Sequence, residues 1–258
     1  MLAIEGATVR FGGITAVDGV DLCVQPGEVV GLIGPNGAGK STLLDAVSGF
    51  ATLASGRVRV LGRDITGLLP YQRARLGIAR SFQDALLYPS LTVREVLMSA
   101  HHESCTAGVF AEGLQLSDAR GDERRAAAAV DTLMDVVDLT PYLDHLVSEL
   151  SFGTTRAVEL AWLACRRPQL LLLDEPASGL QQSEVAALGA LIQRIRGEAA
   201  VVVVDHDVPF VCGLAKRVVA MDLGRVVADG SPDDVLSDPQ VIRSYLGDGR
   251  YARSGAGR

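Results

Sequence analysis

The chain of 258 residues contains no long apolar run and no sign of an export signal. A membrane-spanning helix needs roughly 18 or more consecutive apolar residues, and no stretch approaches that length. Residues 1–5 carry no basic cluster and lead into no apolar segment, so we expect no export. A role at a membrane would therefore require docking to another protein chain.

Cysteine and positive charge are also scarce. The four cysteines are scattered without a C-x-x-C pair, which favours a reducing compartment and gives no sign of zinc or disulfides. The formal net charge of −7 comes with no basic stripe, so nucleic acid is not expected as a partner. The hydrophobic fraction of 48% is that of a globular protein, and the length suits one large α/β domain or a core with a smaller subdomain.

The sequence contains a glycine-rich motif, GPNGAGKS, at residues 34–41. It matches the phosphate-binding (Walker A) pattern G-x-x-x-x-G-K-[ST], in which glycines let backbone N–H groups approach phosphate oxygens. The alternative is a glycine-rich surface turn, but a predicted strand at 28–33 and a predicted helix at 41–49 flank the motif as a phosphate loop requires. The spacing predicts that Lys40 reaches the β- and γ-phosphates and that Ser41 binds Mg²⁺. The predicted ATP-binding residues here are Gly34, Pro35, Asn36, Gly37, Ala38, Gly39, Lys40, Ser41 and Thr42.

A second motif, LLLLDEP at residues 170–176, ends in two acidic residues. Four consecutive leucines predict a strand buried on both faces, as in a parallel sheet. Ligands of open α/β sheets bind at the carboxyl ends of such strands. Asp174 is therefore predicted to hold Mg²⁺ through water, and Glu175 to deprotonate an attacking water. The alternative, two merely exposed acidic residues, is weakened by the phosphate loop upstream.

Three further residues are candidates on weaker grounds. His206 follows a second buried strand, predicted at 201–204, where it could sense the γ-phosphate, although a lone histidine is more often structural. Gln83 leaves a predicted strand and could add an amide oxygen to the magnesium shell, or be an ordinary loop residue. Phe11 precedes a Gly-Gly turn and could stack on a purine or be a core aromatic at a strand end; the sequence favours neither.

The wider pattern divides the chain. Short strands are predicted at 3–9, 18–24, 28–33, 56–60 and 76–82. From about residue 92 the pattern becomes helical, with one helix opening at Val93, capped by Thr92 and Glu95 in a capping box, and another at 119–137. We therefore predict an ATP-binding core at 1–91 and 150–247, a helical subdomain at 92–149 and a flexible tail at 248–258.

Residues 150–155 read LSFGTT and precede an apolar helix that runs to Cys165. A serine and a glycine at a helix N-terminus make a second anion-binding site. Taken in isolation, the segment is better explained as a plain N-cap.

In this order the motifs resemble the nucleotide-binding subunit of an ABC transporter, over residues 3 to about 247. The resemblance implies a P-loop NTPase cassette with a RecA-like parallel-sheet core, an N-terminal antiparallel β portion and an inserted α-helical subdomain. It also implies that two cassettes pack head to tail, each ATP lying between the phosphate loop of one and the signature segment of the other. In this chain the signature segment consists of Ser151, Phe152, Gly153 and Thr154.

The same resemblance implies roles for single residues. Phe11 stacks on adenine, Gln83 senses Mg²⁺ and couples to the membrane subunit, and His206 contacts the γ-phosphate. The implied catalytic residues are Glu175 as general base, His206 and Lys40. The implied metal ligands are Ser41, Gln83 and, through water, Asp174.

Within the family the chain is most similar to the ATPases of branched-chain amino acid importers. Similar segments are ARSFQ at 79–83, LTVREV at 91–96, DEPASGL at 174–180 and the stretch at 238–247. The implied function is ATP-driven import at the cytoplasmic face of the cell membrane. The implied partners are permease subunits, a second ATP-binding subunit and an extracytoplasmic solute-binding protein. Importers of urea or short amides share these features, so the solute stays open, and a non-transport ABC-type ATPase acting on a soluble partner is a further alternative.

The chain departs from the family pattern at two places. Phe152 and Thr154 stand where the signature usually has glycine and glutamine, and Gln181 stands where an aspartate is usual. Ser151 and Gly153 remain, so we expect the phosphate contact across the interface to be kept. The lost charge at Gln181 suggests pairing with a different ATPase subunit, which would give two unequal ATP sites.

Overall fold

In the computed structural model, residues 1–82, 87–104 and 127–246 are described, and they form two compact units. The larger unit comprises residues 1–82, 169–179 and 198–246. The smaller, helical unit comprises residues 87–104, 127–168 and 180–197. The chain thus leaves the larger unit twice and returns to it each time.

The strands are β1 (Leu2–Phe11), β2 (Ile14–Val24), β3 (Val29–Ile33), β4 (Ser55–Val60), β5 (Arg63–Asp64), β6 (Ile78–Arg80), β7 (Leu170–Asp174), β8 (Ala200–Val204), β9 (Arg217–Asp222) and β10 (Arg225–Gly230). The helices are α1 (Lys40–Ser48), α2 (Pro70–Arg75), α3 (Val93–Ser104), α4 (127–136), α5 (Phe152–Cys165), α6 (Gln182–Ile195), α7 (Val208–Leu214), α8 (Pro232–Ser237) and α9 (Pro239–Leu246).

A six-stranded sheet of order β10-β9-β3-β8-β7-β6 forms the centre of the larger unit. The strands from β9 to β6 run parallel, and β10 adds an antiparallel edge. Every residue of β3, β7 and β8 is buried. This is the expected result for continuous valine and leucine runs in a sheet covered on both faces.

A four-stranded antiparallel sheet of order β2-β1-β4-β5 belongs to the same unit. The predicted turn at Gly12 and Gly13 joins β1 to β2 as a hairpin. One apolar cluster draws side chains from both sheets and from α1, including Leu43 and Leu44. Helix α1 is thereby fixed between the sheets, with its first residue, Lys40, at the phosphate-binding motif.

The helical unit contains α3 to α6. The predicted capping box of α3 is confirmed, because the Thr92 N–H donates to Glu95 (2.8 Å) and the Glu95 N–H donates to the Thr92 hydroxyl (3.3 Å). Arg94 of α3 forms an ion pair with Asp131 of α4 (2.6 Å). Helix α5 packs against both α3 and α6. Of the described helices in either unit, none is both long and apolar enough to cross a bilayer.

The predicted architecture of a parallel core, an antiparallel portion and a helical part is confirmed, with local differences. The strand predicted at 76–82 is wrong at its ends, because only three residues pair with β7 and Gly77 has a φ of 84°. The boundaries proposed at 92 and 149 stay a prediction, and the tail at 248–258 lies outside the described residues.

Candidate functional site

The sequence motifs of the larger unit meet at one edge of the parallel sheet. In the register of the sheet, Val204 of β8 lies beside Leu32 of β3 on one side and Asp174 of β7 on the other. The residues that directly follow these strands are therefore brought together. They are the phosphate loop after β3, Glu175 after β7, and Asp205 and His206 after β8. This edge carries the carboxyl ends of parallel strands, where α/β sheets bind ligands.

The phosphate loop requires glycine for steric reasons. A Cβ atom at Gly34 would lie 2.1 Å from the carbonyl oxygen of Met221, and one at Gly39 would lie 2.3 Å from that of Ala16. Both distances are impossible contacts, and both glycines have positive φ values, of 148° and 95°. The turn between β9 and β10 also supports the loop, because the Gly224 N–H donates to the carbonyl of Ala38 (3.1 Å).

Lys40 is a buried cation at this edge, with 6% of its surface exposed. Its ammonium donates to the carbonyl oxygens of Gly34 (2.7 Å) and Pro35 (2.9 Å), so it lies inside the curve of the loop. Burial lowers the pKa of Lys40, while the charges of Glu175 and Asp174 act in the opposite direction. A polyphosphate in the loop would add anionic partners for this cation, at the positive end of α1.

Ser41 and Asp174 form the oxygen-rich part of the site. The Ser41 hydroxyl donates to Oδ1 of Asp174 (3.1 Å), and Asp174 is 3% exposed. Hydroxyl and carboxylate oxygens are the ligands that Mg²⁺ prefers, and the ion usually keeps waters and phosphate oxygens in its shell. Within the described ranges no three His, Cys, Asp or Glu side chains cluster to hold a metal. Gln83, the third predicted ligand, lies outside the described residues.

Glu175 and His206 contact each other directly. Oε1 of Glu175 lies 2.6 Å from Nε2 of His206. Glu175 has a φ of 51°, a strained conformation for a residue with a side chain, and its N–H donates to the carbonyl of Val204 (2.7 Å). The Glu175 side chain is 16% exposed and that of His206 is 48% exposed, so a ligand at this edge can reach both.

Phe11 is the last residue of β1 and pairs with Ile14 at the tip of the hairpin. The ring is 55% exposed, so Phe11 does not belong to the core. Of the two alternatives left by the sequence, the structure thus excludes the core aromatic and leaves an exposed ring available for stacking.

The signature segment begins α5 in the helical unit. Ser151 is the N-cap: its hydroxyl accepts the N–H of Thr154 (3.1 Å) and lies 2.9 Å from the Thr154 hydroxyl. Phe152 is 55% exposed, and the guanidinium of Arg156 lies 5.6 Å from its ring centre. The contacts of a plain N-cap are therefore present, on a surface that is open to a ligand.

Comparison with known proteins identifies the chain's relatives. The sequence model of the family described as ABC transporter matches residues 17–178. BraF of Pseudomonas aeruginosa, a high-affinity branched-chain amino acid transport ATP-binding protein, is 36% identical over 250 residues, covering 96% of this chain and 98% of BraF. The chain belongs to the ABC transporter family. As an ATP-binding cassette it binds nucleotide, and the predicted family, fold and ATPase class are confirmed.

Other similarities to the cassette extend this result. The LivG protein of Escherichia coli, with the same description as BraF, is 34% identical over 96% of the cassette and 98% of LivG. A model described as branched-chain amino acid ATP-binding cassette transporter matches residues 225–251. Among solved structures, the ADP conformation of MJ1267, an ATP-binding cassette of an ABC transporter, has a TM-score of 0.82 and 28% identity, covering 96% and 98% of the two chains.

Sequence reasoning missed two charged side chains of the cassette. Arg80, at the end of β6, donates to Oδ2 of Asp174 (2.9 Å). Its position near the end of a predicted strand, at the same sheet edge as Asp174, could have indicated this contact. Asp205 is buried, which raises its pKa, and its carboxylate accepts the N–H groups of Ala177 (2.9 Å) and Asp207 (3.0 Å). These bonds connect the segment after Glu175 to the segment that carries His206.

Proposed function

We propose that this chain is the ATP-hydrolysing subunit of an importer for branched-chain or related amino acids. It would work at the cytoplasmic face of the cell membrane with permease subunits, a second ATP-binding subunit and an extracytoplasmic solute-binding protein. The observation that carries the proposal is the convergence of the phosphate loop, Asp174 and the Glu175–His206 pair at one sheet edge. The full-length similarity to BraF and LivG supports the solute class.

Each candidate residue has a part in the proposed reaction. The phosphate loop and Lys40 bind the phosphates, while Phe11 stacks on adenine. Ser41, Gln83 and, through water, Asp174 would hold Mg²⁺, which neutralises phosphate charge when it is bound. Glu175 accepts the proton of the attacking water, and its bond to His206 orients the carboxylate.

We further propose that Ser151, Phe152, Gly153 and Thr154 face the ATP of the partner cassette. The exposure of Ser151 and Phe152 supports this, since an interface between chains needs an open surface. Binding of two ATP molecules would close the pair because phosphate charge is then shared across the interface. Hydrolysis would remove the γ-phosphate from the interface, so the two cassettes would separate and move the permeases. The neutral Gln181 supports a pair of unequal ATPase subunits.

The proposal is tested by purifying the tagged chain from solubilised membranes and identifying what accompanies it. Two permeases and a second ATPase are expected. Vesicles that contain that complex, with the cassette and ATP on the inside and the solute-binding protein on the outside, should then take up leucine. The same complex with Glu175→Gln should assemble without transport. Recovery of soluble partners alone, with no membrane protein, would contradict the importer assignment. Uptake of urea or a short amide in place of leucine would contradict the solute class alone.

A further inference from the structure

We infer that Arg80 is a positioning residue for the magnesium site. It holds Asp174 so that one carboxylate oxygen faces Ser41, and it ties that carboxylate to the helix of the phosphate loop. The inference rests on the proposed function, because it assumes that Ser41 and Asp174 hold Mg²⁺ next to a bound nucleotide.

Arg80 bridges two structural elements with one guanidinium. Nη2 donates to Oδ2 of Asp174 at the end of β7 (2.9 Å). Nη1 donates to Asp45 (2.6 Å) and to the Ser48 hydroxyl (2.8 Å), both on α1. Because α1 also carries Ser41, the bridge sets the separation of the two proposed metal ligands.

The surroundings of Arg80 make this bridge rigid. The side chain is 8% exposed and the Asp174 side chain 5%, so water does not compete for their ion pair. The guanidinium also lies beside two aromatic rings, with its central carbon 6.0 Å from the centre of Phe50 and 5.4 Å from that of Phe82. Removing one member of such a pair leaves an uncompensated buried charge, which is strongly unfavourable.

Asp174 is held on three sides. Oδ1 accepts the Ser41 hydroxyl, Oδ2 accepts Arg80, and the Asp174 N–H donates to the Ser81 hydroxyl (3.1 Å). Without Arg80 the carboxylate keeps only its bond to Ser41 and can rotate about its side-chain bonds, so the position of Oδ1 is less fixed. Partners that orient a ligand in this way typically change metal affinity by about 10- to 100-fold when they are removed.

The geometry also requires arginine. Two nitrogens of a planar fork reach carboxylates on two different elements, whereas a lysine ammonium on a flexible stem is a point charge. Arg80→Lys therefore keeps the charge and loses the bridge, and Arg80→Met loses both.

The test measures metal binding directly. With ADP bound, Mn²⁺ serves as the probe for the magnesium site, and its affinity is read by electron paramagnetic resonance. We expect Mn²⁺ affinity to fall about tenfold in Arg80→Lys and about 10- to 100-fold in Arg80→Met. The affinity for metal-free ADP, measured with a fluorescent analogue in the presence of a chelator, should stay within about twofold of wild type.

Further variants show whether the effect of Arg80 passes through Asp174. If Arg80 acts through Asp174, Arg80→Met should add less than about twofold to the loss already caused by Asp174→Asn. Arg217→Met is the matched control, because Arg217 forms a two-bond ion pair with Asp229 (2.7 and 2.6 Å) elsewhere in the same unit. It should leave Mn²⁺ affinity unchanged. Asp45→Asn loosens the bridge from its other end and should weaken Mn²⁺ binding even if Arg80→Met does not fold.

Three results would overturn the inference: wild-type Mn²⁺ affinity in Arg80→Lys and Asp45→Asn, an equal loss of metal-free ADP affinity, or a full effect of Arg80→Met in the Asp174→Asn background. A failure of the proposed function looks different. In that case Asp174→Asn would itself bind Mn²⁺ as wild type does, whatever stands at position 80.

Discussion

The phosphate-loop edge and the signature segment are built in opposite ways. At the edge, Lys40 is 6% exposed and Asp174 is 3% exposed. Lys40 bonds to carbonyls of its own loop, and Asp174 bonds to Ser41 and Arg80, which are far away in sequence. In the signature segment, Ser151 is exposed, and its hydroxyl bonds to Thr154 in the first turn of its own helix. The first region is a site with preset geometry. The second is an exposed surface, which we propose to face the ATP of a partner cassette.

This difference predicts how each region responds to mutation. Preset groups act on nucleotide in any cassette that folds, so their loss should be measurable in the isolated chain. An exposed segment that serves a partner's ATP should matter only when two cassettes are assembled. Mutations in the two regions can therefore confirm this difference or refute it.

The largest effect is expected at Glu175. Glu175→Gln keeps the shape of the side chain but cannot accept a proton, so turnover should fall by about 10²- to 10⁴-fold while ATP binding is retained. Turnover is measured as phosphate release and binding with a fluorescent ATP analogue. Glu5→Gln, at an exposed glutamate of β1, is the control. Turnover within about threefold of wild type in Glu175→Gln would remove Glu175 from the general-base role.

Lys40→Met should act on binding in the isolated chain. It removes a cation that, in the proposed site, would donate hydrogen bonds to phosphate oxygens worth about 1.5–3 kcal/mol each, so ADP affinity should fall by about 10- to 100-fold. Isothermal titration with ADP measures this loss. Lys216→Met removes an exposed lysine and controls for the change in net charge. Unchanged ADP affinity in Lys40→Met would contradict the assignment of the loop.

Ser151→Ala tests the other region. Loss of the N-cap should lower the free energy of unfolding by about 1 kcal/mol, and ADP affinity of the isolated chain should not change. In the assembled complex the lost bond to a phosphate should reduce ATP turnover by about tenfold. Chemical denaturation and phosphate release give the two values.

A matched serine makes the result of Ser151→Ala decisive. Ser231 caps α8 in the larger unit, with its hydroxyl accepting the N–H of Asp234 (3.3 Å). Ser231→Ala should therefore destabilise the chain in the same way without affecting turnover. If Ser151→Ala and Ser231→Ala lower turnover equally, the signature segment is a helix cap and no more.

The sequence predicts some features of the phosphate-loop edge and of Phe11 but not others. Short motifs predicted the strand before the phosphate loop and the acidic end of β7, because buried strands and glycine loops leave local patterns. The contact between Glu175 and His206 needed the pairing of β7 with β8, and the Arg80–Asp174 bond needed that of β6 with β7. Such pairings depend on the whole sheet, so no local pattern contains them. For Phe11, exposure was the missing quantity, and only the fold supplies it.

The smallest effect concerns the charge that the phosphate-loop edge buries. Burial lowers the pKa of Lys40 below its ordinary value of 10.5, so over the interval between the two values the unfolded chain holds this proton and the folded chain does not. Because stability rises with pH wherever the unfolded state binds more protons, the stability of nucleotide-free wild type relative to Lys40→Met should rise through this interval, by at most about 1.4 kcal/mol per pH unit. At pH values below both pKa values, where both states hold the proton, the difference should be constant. Denaturant titrations of both proteins between pH 7 and 10 measure it. A difference that falls with pH would mean that the nearby carboxylates outweigh burial, and the edge would then resemble a solvated ion-pair surface more than a buried site.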